Sequence, residues 1–273
     1  MQVGKGRMKQ VNSPAEVAKN YVGIGAGKTK LSLGKMLLLA ILAGMFIAFA
    51  GVGSQVVAVS VEAASIGKFL GACIFPAGLA MVLVAGSELF TGNNLIVISV
   101  MEKQATWAGL LRNWVVVYIG NFIGGVLVAA LVTYGHTPSL FDGALASSMV
   151  SAASGKVALS FGDAFIRGIL CNILVCIAVW MSFAAKDVAG KIVGLFFPIM
   201  VFVLCGYEHC VANMYFVPVG IFTAAEFGIA AEGLNWGAFL VNNLLPVTLG
   251  NIVGGAGVVG LGYWAIYLRG AKS

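Results

Sequence analysis

The chain alternates long apolar stretches with short polar joints. Met36–Val61 carries no charge, and Phe69–Met101 is apolar except for Glu88. Trp114–Gly135 and Gly168–Ala185 are uncharged. Ile192–Ala225 is interrupted only by Glu208 and His209, and Gly233–Leu268 is uncharged with Pro246 inside it. A membrane-spanning helix needs about 17–25 apolar residues, so the pattern predicts six spans. In the second stretch the piece after Glu88 is too short to cross at about 1.5 Å per residue, which marks the end of a broken helix. The fifth stretch divides at Glu208-His209 into two short halves. Ahead of the spans, Ser13-Pro14-Ala15-Glu16 has the form of a helix start, with serine as cap, proline first and glutamate three positions on. Val17, Tyr21 and Ile24 continue a helical stripe beside Lys19 and Lys28. We expect a helix lying on the membrane surface and ending at Gly25–Gly27. A short surface helix is expected near Asp142–Ser154 in the longest joint.

Composition removes the alternatives to a membrane protein. Of 273 residues 60% are hydrophobic and 10% are charged, where soluble domains carry roughly a quarter. A soluble enzyme, a soluble binding module and a nucleic-acid binder are excluded, the last because the net charge of +6 is modest and sits mostly at one end. No cleavable signal peptide is visible, so the first span should act as an uncleaved anchor. Five cysteines, Cys73, Cys171, Cys176, Cys205 and Cys210, lie in apolar stretches with no Cys-x-x-Cys pair. They read as buried small hydrophobes, and no disulfide, zinc or iron–sulfur framework, metal or cofactor is expected.

Basic residues orient the six spans. Of the 16 Lys and Arg, Lys68, Lys156 and Arg167 fall on one side. All the others, from Lys5, Arg7, Lys9 and Lys28 to Arg269 and Lys272, fall on the side of the termini. That bias leads us to expect both termini on the cytoplasmic side.

The two halves repeat. Gly86-Ser-Glu88-Leu-Phe-Thr-Gly-Asn93 matches Gly206-Tyr-Glu208-His-Cys-Val-Ala-Asn213. Asn113 with Gly120-Asn121-x-x-Gly124-Gly125 matches Asn243 with Gly250-Asn251-x-x-Gly254-Gly255. Ser32-x-Gly34 matches Ser160-x-Gly162 more weakly. Three spans per copy make the second copy upside down relative to the first, the inverted-repeat plan of many transporters and channels. The 1–273 chain then reads as one channel domain, with an N-terminal helix in 1–30, a first repeat in 31–135 and an inverted repeat in 160–270. The Gly-x-x-x-Gly pairs Gly120/Gly124 and Gly250/Gly254 read as close helix packing.

Broken helices expose backbone groups that lipid cannot satisfy, so paired breaks point to a site near mid-membrane on the pseudo-two-fold axis. Glu88 and Glu208 sit at the breaks. A carboxylate there can accept bonds from the free N–H groups of the next half-helix, and their repeat symmetry favours this tie over chemistry. Asn93 and Asn213 read as further ties of the same loops. His209 has no counterpart, since Leu89 takes its place. It is either a neutral histidine bonded to a carbonyl or a functional group, and the break and adjacent Glu208 favour function. The apolar bulk around the breaks, Phe75, Leu79, Leu89, Phe90, Val175 and Phe202, is either core and lipid-facing surface or a set of hydrophobic gates.

The segments Glu88-Leu89-Phe90-Thr91, Gly206-Tyr207-Glu208-His209 with Ala212-Asn213-Met214, and Asn243 to Asn251 resemble the formate/nitrite transporter family, and the resemblance runs from Ser13 to Arg269. It implies an all-α membrane protein with an aquaporin-like six-helix protomer, broken second and fifth helices, and one pore per subunit of a homopentamer. The substrates it implies are small monovalent anions: formate, nitrite and hydrosulfide. By position, Leu79, Leu89 and Val175 match the cytoplasmic constriction, and Phe75 and Phe202 the periplasmic one. Asn172 lies beside the chamber. Thr91 matches the loop threonine, His209 the central histidine and Lys156 a lysine near the outer vestibule. The chain is most similar to the hydrosulfide-conducting branch, although no single residue decides this.

An aquaporin would carry two Asn-Pro-Ala breaks, which are absent from the sequence. An enzyme would need a ligand cluster or a nucleophile–base pair. A proton-coupled carrier of the same anions stays open, because sequence shows neither rate nor coupling. Formate, nitrite and hydrosulfide are conjugate bases of weak acids, and histidine titrates in the range to protonate them. Glu208 or Asn172 is expected to orient His209.

Overall fold

The computed structural model describes residues 11–270; Lys5, Arg7, Lys9 and Lys272, counted above in the charge bias, lie outside them. The described residues are helical, joined by one isolated bridge between Val11 and Ala185. Ten helical units of ten or more residues follow in order among the described residues, with a single 3₁₀ turn, Thr137–Ser139, between the fifth and sixth. They are α1 (Pro14–Thr29), α2 (Leu33–Ala58), α3 (Ala64–Gly86), α4 (Gly92–Met101), α5 (Trp107–Tyr134), α6 (Ala144–Val157), α7 (Phe161–Ala184), α8 (Val188–Leu204), α9 (Cys210–Glu226) and α10 (Trp236–Tyr267). Five of these are long and apolar enough to cross a membrane: α2, α3, α5, α7 and α10. The pair α8/α9 makes the sixth crossing as two 17-residue halves. The second crossing breaks unequally. Its first part spans 23 residues and α4 supplies only its end.

The halves pack as the repeat requires. Ser32 and Ser160 stand at the N-cap positions of α2 and α7, the first span of each copy, and the Ser160 hydroxyl accepts the Asp163 N–H while Ser32 makes no such bond. Helix α2 packs on α5 through glycine: a Cβ on Gly120 or Gly124 would run into Ala40 and the Ile41 carbonyl. In the second copy, a Cβ on Gly250 or Gly254 would run into the Phe165 and Ile169 carbonyls of α7. These contacts bring helix backbones together where lipid offers no hydrophobic drive of its own.

Of the two peripheral helices, the first differs from expectation. Helix α1 has the full capping box, with Ser13 and Glu16 bonding each other's backbone N–H. It runs through its glycines to Thr29 because its stripe is held by protein. Val17, Ala18, Tyr21, Gly25 and Ala26 are buried. The Ser99 hydroxyl donates to the Tyr21 carbonyl at 3.4 Å, and Gly25 lies against Ser99. So α1 docks on α4 instead of resting only on lipid. Helix α6 forms in the longest joint as expected and is held by protein on one face, where Leu145, Met149, Val150 and Ala153 are buried and Gly220 of α9 packs directly on Ala153, while Ser147, Ser151 and Ala152 are exposed on the other. Of the cysteines, Cys171, Cys176 and Cys210 are buried as expected, whereas Cys205 is exposed.

Candidate functional site

Each break begins at a glycine in the left-handed region, Gly86 (φ 90°) and Gly206 (φ 69°), where a side chain would be strained. The chain then turns inward, and its freed backbone groups are taken up by buried asparagines. Asn121 accepts from Phe90 N–H at 2.9 Å and donates to the Ala40 and Glu88 carbonyls at 2.7 and 2.9 Å. Asn251 repeats this around the second break. It accepts from Cys210 N–H at 2.9 Å and donates to the Gly168 and Glu208 carbonyls at 2.7 and 3.0 Å. The asparagines of the glycine motifs are therefore the ties of the breaks, a role their packing motif had hidden.

Glu88 and Glu208 are structural, but not by capping backbone N–H groups. Glu88 accepts from Lys28 Nζ at 2.7 Å and from Asn93 Nδ2 at 2.7 Å. Glu208 accepts from Lys156 Nζ at 2.9 and 3.0 Å and from Asn213 Nδ2 at 2.7 Å. Asn93 also donates to Asn113, and Asn213 to Asn243; those two donate to the carbonyls of Lys28 and Lys156. Each break is thus closed by a lysine, a glutamate and three asparagines. A buried carboxylate needs such partners, because its desolvation otherwise costs several kcal/mol. Lys28 escaped the sequence reading, where it counted only as a basic residue. Its equivalence to Lys156, at the spacing that relates Ser32 to Ser160, was the available signal.

Between the two breaks the symmetry fails. His209 caps α9, its Nδ1 accepting from Ala212 N–H at 3.0 Å, and its Nε2 lies 2.9 Å from Thr91 Oγ1. The neutral ring therefore carries its proton on Nε2, and a ring protonated on both nitrogens would have to release the Ala212 N–H. Thr91 and Ala212, not Glu208 or Asn172, orient the imidazole. Asn172 Nδ2 donates instead to the carbonyls of Thr91 and Asn251, at 3.3 and 2.7 Å. It fixes the two loops together and lines none of the cavities described next.

Three cavities run in series through the protomer. The largest, about 540 Å³, opens on the side of α6 and is lined by Lys68, Lys156, Arg167, Phe75, Phe202 and His209 among others. A central chamber of about 10 Å³, room for one water at most, is lined by Ile47, Phe75, Leu79, Leu89, Val175, Ile199, Phe202 and His209. A third, about 30 Å³, lies under α1 and is lined by Tyr21, Lys28, Leu79, Leu89, Val179 and Phe183 among others. Phe75, Phe202 and His209 are common to the first two, and Leu79 and Leu89 to the last two. Seven of the ten pathway residues expected from the sequence line this series: Phe75, Leu79, Leu89, Lys156, Val175, Phe202 and His209. Thr91 touches it through His209. Phe90 turns away, its ring against Tyr118 and Trp114 at centroid distances of 5.0 and 6.0 Å. Lys156 lines the vestibule but is already committed to Glu208.

The fold and this arrangement have known relatives. The sequence profile described as formate/nitrite transporter matches residues 15–265. A probable formate transporter of Methanothermobacter thermautotrophicus is 42% identical over 275 residues, covering 94% of this chain and 97% of that protein. The formate channel FocA of Escherichia coli K12 is 37% identical over 269 residues, covering 94% of each. Among solved structures, a pentameric formate channel with formate bound aligns with a TM-score of 0.80 at 39% identity, covering 86% of this chain and 98% of that one. An FNT family ion channel aligns with a TM-score of 0.82 at 29% identity, covering 92% and 98%. The chain belongs to the formate/nitrite transporter family, whose members are membrane channels and transporters rather than enzymes.

Proposed function

We propose that the protein is a channel for a small monovalent weak-acid anion, with formate the first candidate. The observation that carries the proposal is the Thr91–His209 pair, 2.9 Å apart, set between an aromatic and an aliphatic constriction. Lys68 and Arg167 gather anions in the vestibule, where the Lys156 charge is already held by Glu208. The anion then passes Phe75 and Phe202, meets Thr91 and His209, and leaves between Leu79, Leu89 and Val175. A bare anion entering so narrow an apolar slit loses its hydration for little return. The neutral acid does not, so the anion takes its proton at the pair, from a His209 ring that vestibule water has protonated on both nitrogens and that returns to neutral as the acid moves on. His209 Nε2–H and the Thr91 hydroxyl are the donors placed to meet its oxygens, and Ala212 N–H keeps the ring in that tautomer.

Formate stands ahead of hydrosulfide and nitrite because the named relatives are a probable formate transporter and a formate channel. The leaning of the sequence toward the hydrosulfide branch becomes an arm of the test. The chamber, with room for one water, makes this a closed arrangement that side chains must open. By analogy with the pentameric relative, five copies assemble in the bilayer with one pore each, and the basic-residue bias puts α1 on the cytoplasmic side. The test is stopped-flow uptake of formate, nitrite, hydrosulfide and chloride into proteoliposomes. Formate uptake well above chloride supports the proposal, and greater hydrosulfide uptake moves the substrate to sulfide. Chloride conducted equally well overturns selection by weak-acid chemistry.

A further inference from the structure

We propose that Phe216 is a specificity-determining residue of the outer constriction, a fixed stop that holds the Phe75 ring across the path; this rests on the channel reading above. Phe75 and Phe202 separate vestibule from chamber, whereas Phe216 lines only the vestibule. The rings form a continuous series from the central histidine outward. Phe202 stacks on His209 at 5.8 Å and 21°, and Phe75 meets Phe202 edge-on at 5.7 Å and 85°. Phe216 then stacks on Phe75 at 6.2 Å and 16°. Phe75 is therefore held by Phe202 at an edge and by Phe216 on its face. A ring that blocks a path needs such a backing, because without it the side chain can swing into the 540 Å³ vestibule behind it.

Phe216 is itself pinned. Tyr215, fully buried, meets it edge-on at 5.3 Å. Gly51 of α2 leaves it no retreat, since even a Cβ there would come within 3.3 Å of Phe216 Cζ. Lys156 Nζ stands over the ring, 5.5 Å from its centroid, a distance at which a cation is attracted to the ring face. The same ammonium holds Glu208, so the stop is tied to the clamp of the second break. Like His209, Phe216 breaks the repeat: the residue at its place in the first half is Ile96.

The experiment compares Phe216→Leu with Phe216→Tyr in proteoliposomes and reads the ratio of acetate to formate uptake. The ratio does not depend on how much protein is active, so a merely structural lesion lowers both fluxes and leaves it unchanged. Loss of one stacked aromatic pair converts to about 2- to 12-fold. We expect Phe216→Leu to raise the ratio about five-fold and Phe216→Tyr, which keeps the ring face, to stay near wild type. A wild-type ratio in Phe216→Leu overturns the proposal. If Phe216→Leu does not assemble, Phe216→Met is read by the same criterion. Wild-type protein that conducts no anion defeats the channel reading instead, which keeps the two failures apart.

Discussion

Replacing Asn251 by leucine removes the tie of the second break at nearly constant volume. Asn251 is fully buried and makes three hydrogen bonds, to Cys210 N–H and to the Gly168 and Glu208 carbonyls. Leucine leaves one donor and two acceptors without these partners inside the bundle. Interhelical hydrogen bonds in membranes average about 0.6 kcal/mol, and a buried group left unsatisfied costs about 1–3 kcal/mol. Three groups then give a loss of about 2 kcal/mol at the least and up to about 9 kcal/mol. Asn121→Leu must cost the same within about 1 kcal/mol, because its three bonds, at 2.9, 2.7 and 2.9 Å, repeat those of Asn251. The exposed Asn235 is the control. It accepts only the Ala238 N–H at 2.9 Å with its side-chain oxygen, and Asn235→Ala should cost no more than an ordinary cap, about 1 kcal/mol. Thermal unfolding in detergent, followed by a thiol-reactive dye, suits the molecule. Cys171, Cys176 and Cys210 are buried and report opening, while exposed Cys205 sets the starting signal. Midpoints of Asn251→Leu and Asn121→Leu that match wild type would refute the asparagine ties as the source of the broken-helix architecture.

Other consequences follow from the same geometry. Lys156→Met leaves Glu208 buried and short of its cation, so it should destabilise by about 3–5 kcal/mol. Adding Glu208→Gln should recover part of that loss in the same melting assay, and full additivity of the two would contradict the clamp. Gly124→Ala and Gly254→Ala drive a methyl into the Ile41 and Ile169 carbonyls respectively. Each should lower the melting midpoint by the equivalent of about 1–3 kcal/mol, and a tolerated alanine at either would show that the helices there are not in backbone contact. Leu89→Ala opens the boundary between the chamber and the cavity under α1. Uptake of anions larger than formate should rise, and unchanged selectivity would remove Leu89 from the constriction.

Much of this architecture was legible because the bilayer makes it so. Runs without charge can only be spans, and Glu88 and Glu208 inside such runs can only mark breaks or sites. The repeat of Gly86–Asn93 in Gly206–Asn213 then fixed the plan. What stayed hidden was the pairing. Lys28 lies 60 positions from Glu88, and nothing in a local window says that a residue of the amphipathic first helix closes a break in the second span. Asn121 and Asn251 were masked by the glycines around them, whose packing role is also real. Contact also separates residues that position in the sequence groups together. Phe90 was expected among the apolar bulk around the breaks and Asn172 beside the chamber, yet the Phe90 ring packs on Trp114 and Tyr118 and the Asn172 amide joins two carbonyls. Phe216 carried no signal at all, being one aromatic among many in an apolar helix until its ring is seen against Phe75.

The central claim is that the anion passes the Thr91–His209 pair and crosses with a proton. It is tested most directly by the pH profile of formate uptake in proteoliposomes for wild type and His209→Asn. Asparagine at 209 can still accept the Ala212 N–H, so the break survives while the titrating donor is lost. Wild-type uptake should rise as pH falls, and the His209→Asn profile should lose that dependence with the melting midpoint preserved. A stable His209→Asn channel that keeps the wild-type pH profile would contradict the account.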